Sequence, residues 1–237
     1  MLLLALDTCD SRGSLSLLRE DSVLGVERHD TSEDYSSWLL PASQRLLHAN
    51  NVAHRDLSAY AVASGPGSFT GVRVGLTTVK AWSEAYGHPV AALSRLEVLA
   101  SYTSSSAPFV AVFVDAQRQQ IFAALYHRLE GLLQRVGDEA VIPPAQFLDS
   151  VAQTTAGQRV EWISPDPACL TYTDQWACRL AEGETIRVVA PMFAPAIGRL
   201  GYERAQSGRL TDALALDANY VRRSDAELFW KGAFGSR

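Results

Sequence analysis

The feature that most constrains the fold is one order of apolar runs that occurs twice along the chain. In the first half an apolar run at residues 2–6 ends at Asp7, and in the second half a run at residues 109–114 ends at Asp115. Each aspartate is followed by a polar turn and two further apolar runs, so we expect two three-stranded meanders. These further runs are residues 14–18, 23–28, 121–126 and 132–136.

Helical patterns alternate with further strands after each predicted meander. Apolar residues recur with a helical period between Trp38 and Leu47, and a second helix is expected from Val72 to about Tyr86. Pro41 fits the first of these helices if it lies in the first turn, where no backbone donor is lost. The second half repeats the same order of elements with negligible sequence identity, so the repeat is one of pattern only.

Three meander strands followed by alternating helices and strands is the order found in ribonuclease H-like folds. Two tandem copies resemble the actin, sugar-kinase and chaperone ATPase superfamily, in which the aspartate after the first strand holds a metal–nucleotide complex. An aspartate at a strand end is also common in any mixed sheet. We therefore expect an α/β protein with two tandem ribonuclease H-like domains of the actin-like ATPase superfamily, the second copy being reduced.

A serine-rich polar stretch at residues 103–108 is the best candidate for a domain boundary. It predicts an N-terminal domain over residues 1–105 and a C-terminal domain over residues 106–237. The segment after Ala190 fits against either half.

Composition restricts the class of protein. Of the 237 residues, 47% are apolar and 20% are charged, which is typical of a globular protein rather than a disordered one. No apolar run approaches the roughly 18 residues that a membrane helix needs. The three cysteines show no close spacing, so we expect a reducing compartment, the cytoplasm, and no membrane contact. A net charge of −5 argues against broad non-specific binding of nucleic acid.

The most distinctive segment is a glycine-rich loop between a predicted strand and a predicted helix. We call it the signature loop, and it consists of Gly65, Pro66, Gly67, Ser68, Phe69, Thr70 and Gly71. Such a loop can turn backbone N–H groups towards an anion at a helix N-terminus. Its glycines can equally allow a sharp turn and close packing of the helix on the sheet, which is the favoured interpretation. It has neither the Walker A spacing nor that of a dinucleotide fingerprint.

The helix after the signature loop has two uncharged faces. Val72, Leu76, Val79 and Tyr86 are expected to form a core face, while a second stripe carries small residues. Small residues at helical spacing let another helix approach closely. Either the helix around residues 38–47 or a partner subunit is expected to cover that stripe, which consists of Gly75, Thr78, Ala81 or Trp82, and Ala85.

Catalytic patterns are missing from the sequence. The five histidines occur in no HxxxH or HExxH spacing, and no GxSxG motif is present, so we expect no metal site and no serine hydrolase. The turn after Asp7 contains Gly13, whereas the turn at residues 115–120 contains no glycine and is poorly suited to grip phosphates. The sequence predicts an ATPase-like scaffold without a complete ATPase site, without catalytic residues and without a cofactor.

Several motifs resemble those of the TsaB (YeaZ) family, in the family's order and over nearly the whole chain. The signature loop and the residues that follow it, to Gly75, are the most specific of them. The others are residues 4–8 (LALDT), 38–41 (WLLP), 115–118 (DAQR) and 218–222 (ANYVR). The chain departs from the family pattern at residues 35–38 and in the turn after Asp115.

This resemblance implies a bacterial cytoplasmic protein needed to make threonylcarbamoyladenosine beside the anticodon of tRNAs that read ANN codons. It implies a non-catalytic partner of the paralogous transferase TsaD, joined by the ATPase TsaE, while TsaC supplies threonylcarbamoyl-adenylate. Contact with tRNA is expected only through the complex. The alternative is a stand-alone small-molecule kinase or ATPase of the actin-like fold; a metalloprotease has no support.

In that family, helices of the N-terminal half pack against TsaD, or against a second copy when TsaD is absent. The resemblance therefore suggests a helical partner interface, and Gly75→Arg is expected to abolish partner binding while the monomer stays folded. The interface residues are expected to be Trp38, Leu39, Ser43, Val74, Gly75, Thr78, Ala81, Trp82 and Ala85.

Overall fold

The computed structural model describes residues 1–29 and 33–221. Its first sheet contains the predicted meander followed by two strands that run parallel to the first strand, in the order β3-β2-β1-β4-β5. The strands are β1 (Leu2–Asp7), β2 (Ser14–Arg19), β3 (Ser22–Arg28), β4 (Ala59–Ala63) and β5 (Val90–Leu93).

The second sheet has the same strand order, β8-β7-β6-β9-β10, with the same antiparallel meander and two parallel strands. Its last strand has only three residues, so this copy of the sheet is the smaller at that edge. The strands are β6 (Phe109–Asp115), β7 (Ile121–Leu129), β8 (Leu132–Ile142), β9 (Val160–Ser164) and β10 (Ile186–Val188). The fold is therefore α/β, and each sheet follows the order expected of ribonuclease H-like folds.

Seven α-helices connect and cover these sheets in the described part of the chain. They are α1 (Tyr35–Ala49), α2 (Phe69–Tyr86), α3 (Arg95–Ala100), α4 (Pro144–Thr155), α5 (Ala168–Thr171), α6 (Asp174–Ala181) and α7 (Ala194–Gln206). Short 3₁₀ helices occupy His54–Asp56 and Ala213–Ala215. None of the helices in the described ranges is long and apolar enough to span a bilayer.

Local chemistry explains where α2 begins and ends. The Ser68 hydroxyl accepts a hydrogen bond from the Gly71 N–H at 3.3 Å, so Ser68 is the N-cap and the helix starts at Phe69, three residues before the predicted start. Gly87 ends the helix with a φ of 72°, a conformation that favours glycine. Pro41 does not occupy the first turn of α1, the position that would suit it, since α1 already begins at Tyr35.

The core of the first half continues into one face of the second sheet. Val110, Val112 and Val114 of β6 belong to the same buried cluster as the strands of the first sheet. A second buried cluster lies on the opposite face of the second sheet, around Trp162 and Trp176. The two sheets are therefore joined by shared apolar packing.

Helix α7 lies on the first sheet, although it follows the second sheet in the chain. A β-carbon at Gly198 would overlap the side chain of Leu18, and one at Gly201 would lie 2.7 Å from the β-carbon of Ala61. The predicted boundary between residues 105 and 106 assigned this helix to the C-terminal domain. The segment after Ala190 was expected against either half, and α7 lies on the first sheet; the domain boundary stays a prediction.

Candidate functional site

The loops at the end of β1 enclose a cleft between the two halves of the chain. Asp7 is the last residue of β1, and the turn after it lies beside the signature loop and beside the turn after β6. The cleft has a volume of about 300 Å³, and its walls include Asp10, Gly67, Arg95 and Asp115. Of the two aspartates that the repeat singled out, Asp115 lines the cleft, and Asp7 is buried behind it against Arg95, which is part of the wall.

A buried guanidinium group occupies the position next to Asp7. Arg95, the first residue of α3, is only 1% exposed, and its Nε lies 3.2 Å from Asp7 Oδ2. A terminal nitrogen of the same group lies 2.5 Å from Asp10 Oδ2, and the ring of Phe193 packs 5.1 Å from its central carbon. Burial opposes the charge of Arg95, but Asp7 and Asp10 raise its pKa, so this cation is permanent.

Arg12 extends the ion pairs from the first half of the chain to the second. It contacts Asp10 Oδ2 at 2.5 Å and Asp166 Oδ1 at 2.6 Å. The other oxygen of Asp166 accepts the backbone N–H of Asp115 at 3.2 Å. Charges therefore alternate along Asp7, Arg95, Asp10, Arg12 and Asp166, a series that we call the ion chain.

The ion chain perturbs the titration of Asp10. Burial acts to raise the pKa of this carboxyl, but the charges and hydrogen bonds of Arg95 and Arg12 outweigh burial and lower it to about 2. Beside it, burial and the charge of Asp7 raise the pKa of the Cys9 thiol, so Cys9 is a neutral thiol rather than a nucleophile.

The residues present do not fit a bound metal–nucleotide complex. Asp7 Oδ2 is paired with Arg95, and Asp7 Oδ1 accepts the Cys9 N–H at 2.8 Å, so both oxygens are engaged inside the protein. No group of three or more histidine, cysteine or acidic residues that could hold a metal occurs within the described ranges. The expected role of an Asp7-like residue in nucleotide binding is therefore not supported by this geometry.

The glycines of the signature loop serve close packing in this structure. A β-carbon at Gly67 or Gly71 would overlap the carbonyl oxygen of Cys9 or Thr8. The loop is also hydrogen-bonded there, because Ser68 donates its N–H to Cys9 O and the Thr8 hydroxyl donates to Gly71 O, both at 2.7 Å. These contacts favour the packing interpretation of the loop over the anion-binding one.

Of the nine residues that the sequence predicts at a partner interface, some are buried inside the chain and others are accessible. Five of them are buried within the chain itself: Trp38, Leu39, Ser43, Gly75 and Trp82. The two tryptophans pack against neighbouring rings, Trp38 at 5.1 Å from His29 and Trp82 at 4.8 Å from His54. Val74 and Thr78 are half-buried, and Ala81 and Ala85 are exposed.

Gly75 faces the interior, which corrects the expectation about this residue. A β-carbon there would overlap the Thr8 hydroxyl and lie 3.3 Å from Leu6 Cδ1. An arginine at this position would therefore disrupt packing between α2 and β1, and Gly75→Arg would not leave the monomer folded.

An uncharged surface remains on α2 after this correction. We call it the α2 face: Thr70, Val74, Thr77, Thr78, Ala81 and Ala85, which recur at helical spacing and are exposed or half-buried. Leu40 of α1, the helix beside α2, is 51% exposed and adds a large apolar side chain to the accessible surface of this helix pair. The sequence did not single out Leu40, Thr70 or Thr77 as interface residues.

Sequence reasoning also missed the ion chain. Arg95 follows a predicted strand like many other charged residues, and nothing in its neighbourhood indicates burial. The only available signal is the spacing of Asp10 and Arg12, because residues two apart can pair within a tight turn. Asp166 is 154 positions from Arg12 and is brought to it only by the fold.

These observations define a class of protein: an α/β protein with two sheets of the same strand order and, between them, a cleft whose charged residues pair with one another. Residues 19–168 match the family model for TsaD, the tRNA N6-adenosine threonylcarbamoyltransferase. The chain is 34% identical over 153 residues to the tRNA threonylcarbamoyladenosine biosynthesis protein TsaB of Bacillus subtilis, covering 65% of this chain and 67% of that protein. It is 27% identical over 201 residues to TsaB of Escherichia coli, covering 82% and 85%.

Solved structures agree with these relatives. YeaZ from Pseudomonas aeruginosa superposes with a TM-score of 0.69 at 26% identity, over 92% of this chain and 99% of that one. A second Pseudomonas aeruginosa structure, described as an uncharacterized protein with similarity to peptidase YEAZ, has a TM-score of 0.75 at 27% identity, over 93% and 99%. The chain belongs to the TsaB (YeaZ) family.

Proposed function

We propose that the chain is a non-catalytic subunit in the biosynthesis of tRNA threonylcarbamoyladenosine and that it acts by binding the paralogous transferase TsaD. Support for the pathway comes from the Bacillus subtilis and Escherichia coli relatives, which are named for that biosynthesis. In this proposal TsaE joins through the complex, tRNA is contacted only through the complex, and the protein works in the cytoplasm.

The observation that carries the non-catalytic role is the pairing of Asp7 with Arg95. A carboxylate that must bind a metal–nucleotide complex needs free oxygens, whereas both oxygens of Asp7 are engaged within the chain. The buried guanidinium supplies the positive charge that a bound cation would otherwise provide. The carboxylate of Asp7 is therefore satisfied by groups of the chain itself, as suits a subunit that offers a surface rather than chemistry.

The α2 face is the proposed contact with TsaD, and with a second copy of this chain when TsaD is absent. Its residues are small and uncharged, so another helix can approach α2 closely without burying an unpaired charge. A stable complex of this kind buries on the order of 1,600 Å² in total, so neighbouring surface such as Leu40 of α1 must take part.

Ala81→Arg tests this surface directly. Ala81 is exposed in the C-terminal half of the α2 face, so an arginine there leaves the monomer folded and places a bulky charge at the contact. We expect TsaD binding to weaken at least about a hundredfold, measured by calorimetry with the cognate TsaD. The matched control is Ala152→Arg, at an exposed alanine of α4 in the other half. Equal binding by both variants contradicts the proposed contact.

Reconstitution tests the function as a whole. The cognate TsaD, TsaC and TsaE are mixed with unmodified tRNA, threonine, bicarbonate and ATP, and threonylcarbamoyladenosine is followed by mass spectrometry. We expect product only when this chain is present, and none when this chain replaces TsaD. Product formation that is unchanged by omitting the chain contradicts the proposal.

The alternative, a stand-alone kinase or ATPase, requires nucleotide binding by the isolated chain. Titration of the chain with ATP and Mg²⁺ separates the two functions, because a kinase must bind its nucleotide without a partner. We expect no heat of binding, since Arg95 occupies the carboxylates that would hold the cation.

A further inference from the structure

Residues 209–221 lie across the signature loop. The C-terminal segment, residues 209–221, first pairs with the edge of the first sheet, where Thr211 and Val90 exchange backbone hydrogen bonds of 2.9 Å. It then buries Leu216 and reaches the signature loop at Asn219. The motif at residues 218–222 therefore meets the signature loop through Asn219 and Tyr220; its last residue, Arg222, lies outside the described residues.

Asn219 fixes the segment to both halves of the protein. Its N–H donates to Ser64 O at 2.8 Å, and its side-chain amide donates to Glu139 Oε2 of β8 at 2.6 Å. The Ser94 hydroxyl, which caps α3, donates to the other oxygen of Glu139. Gly65 has a φ of 107°, and a β-carbon there would lie 2.9 Å from Asn219 O, so the loop and the segment are in close contact.

Tyr220 covers the first turn of α2. Its ring stacks on Phe69 with 5.0 Å between centroids and 21° between the planes. Arg73, one turn further along α2, donates from Nε to the Tyr220 hydroxyl at 2.9 Å, and its guanidinium carbon lies 5.7 Å from the centroids of both rings. Tyr220 is nevertheless 44% exposed, so the ring contributes more to fixing this turn than to the core.

We propose that Asn219 and Tyr220 are positioning residues for the partner contact: they hold the signature loop and the first turn of α2 in the orientation that the partner meets. The inference rests on the α2 face being that contact. Tyr220 holds Phe69 and Arg73, and each of these is followed directly by a residue of the α2 face. Thr70 follows Phe69 and Val74 follows Arg73, so the residues that Tyr220 holds and those that the partner meets belong to the same two turns of α2. The partner is the paralogous chain of the proposed function, and its site extends to the exposed side of Tyr220.

Two variants and one control separate positioning from general stability. Tyr220→Ala removes the stack, whereas Tyr220→Phe keeps the stack and loses only the bond to Arg73. Leu214→Ala is the control, because Leu214 lies in the same segment and is 83% exposed. Hydrogen exchange of the isolated chain and calorimetry with the cognate TsaD are measured on all three.

For Tyr220→Ala we expect amide exchange in residues 66–73 to rise about fivefold to tenfold and TsaD affinity to fall about tenfold, with the melting temperature nearly unchanged. Tyr220→Phe is expected to stay within about threefold of the natural chain in both, and Leu214→Ala to be indistinguishable from it. A uniform rise in exchange over the whole chain overturns the positioning role, as does unchanged exchange in residues 66–73.

The Ala81→Arg variant tells the two proposals apart. If Ala81→Arg loses TsaD binding and Tyr220→Ala keeps it, the positioning role is wrong and the partner face stands. If Ala81→Arg keeps TsaD binding, the partner face itself fails, and with it the inference that depends on it.

Discussion

At the scale of single residues, Arg95 has the largest consequence for this protein. It lies between two carboxylates and beneath an aromatic ring, with almost no contact with solvent. Burying a charge is unfavourable unless its partners are well placed, and here each partner is within hydrogen-bonding distance. Removing the cation leaves Asp7 and Asp10 close together with no compensating charge beside Asp7.

The change Arg95→Ala should therefore lower the free energy of unfolding by about 3–5 kcal/mol, as for other buried pairs that lose one member. Urea denaturation of the isolated chain measures it. Arg45→Ala is the matched control, because the pair of Arg45 and Glu27 is on the surface and should contribute less than about 1 kcal/mol. A loss for Arg95→Ala as small as that of the control contradicts the structural role given to Arg95.

At the scale of elements, the start of α2 depends on one hydroxyl group. Ser68→Ala removes the side chain that accepts the Gly71 N–H, so we expect a loss of about 1 kcal/mol in the free energy of unfolding. Ser68→Asp keeps a capping oxygen and should retain most of that stability. Thermal denaturation of both variants tests the cap. Equal losses of stability in the two variants would show that Ser68 stabilises the protein through packing and not through capping.

Sequence patterns predicted the strands better than they predicted how the helices pack on the sheets. The two meanders were predictable because short apolar runs ended at Asp7 and Asp115, and strand pairing within a meander is local. The stripe on α2 was recognised, but Gly75 was assigned to the outside, since a small residue can lie under a sheet or under a partner. The contacts of Gly75 with Leu6 and Thr8, more than 60 positions earlier in the chain, decide that Gly75 lies under the sheet.

The candidate site was the least predictable part. The signature loop was found because its composition is unusual, whereas Arg95, Arg12 and Asp166 have no local pattern. Likewise, the apolar side of α7 predicts that this helix covers a sheet, but it does not indicate which of the two sheets. Contacts between residues far apart in the chain decide both cases.

At the scale of the whole molecule, the ion chain joins the halves and makes stability depend on pH. The pKa of Asp10 falls from 3.8 to about 2 on folding, so its contribution is present above about pH 4 and is lost as the pH falls towards 2. A shift of this size corresponds to roughly 2 kcal/mol. Urea denaturation should show Asp10→Asn less stable than the natural chain near pH 6, with the difference shrinking between about pH 4 and pH 2.

A difference that stays constant over this pH range would contradict the titration assigned to Asp10. The control is Glu27→Gln, which removes the carboxylate of the surface pair with Arg45 and should change the acid dependence little.

The position of α7 has a consequence for how the protein is made on the ribosome. Gly198 and Gly201 pack on Leu18 and Ala61, so a helix that is synthesised late covers strands that are synthesised much earlier. Until about residue 206 has left the exit tunnel, one face of the first sheet has no cover. At a synthesis rate of about 5–20 residues per second, the residues between the end of β5 and the end of α7 take about 6–23 seconds, and during that time the face is exposed to chaperones and to other nascent chains.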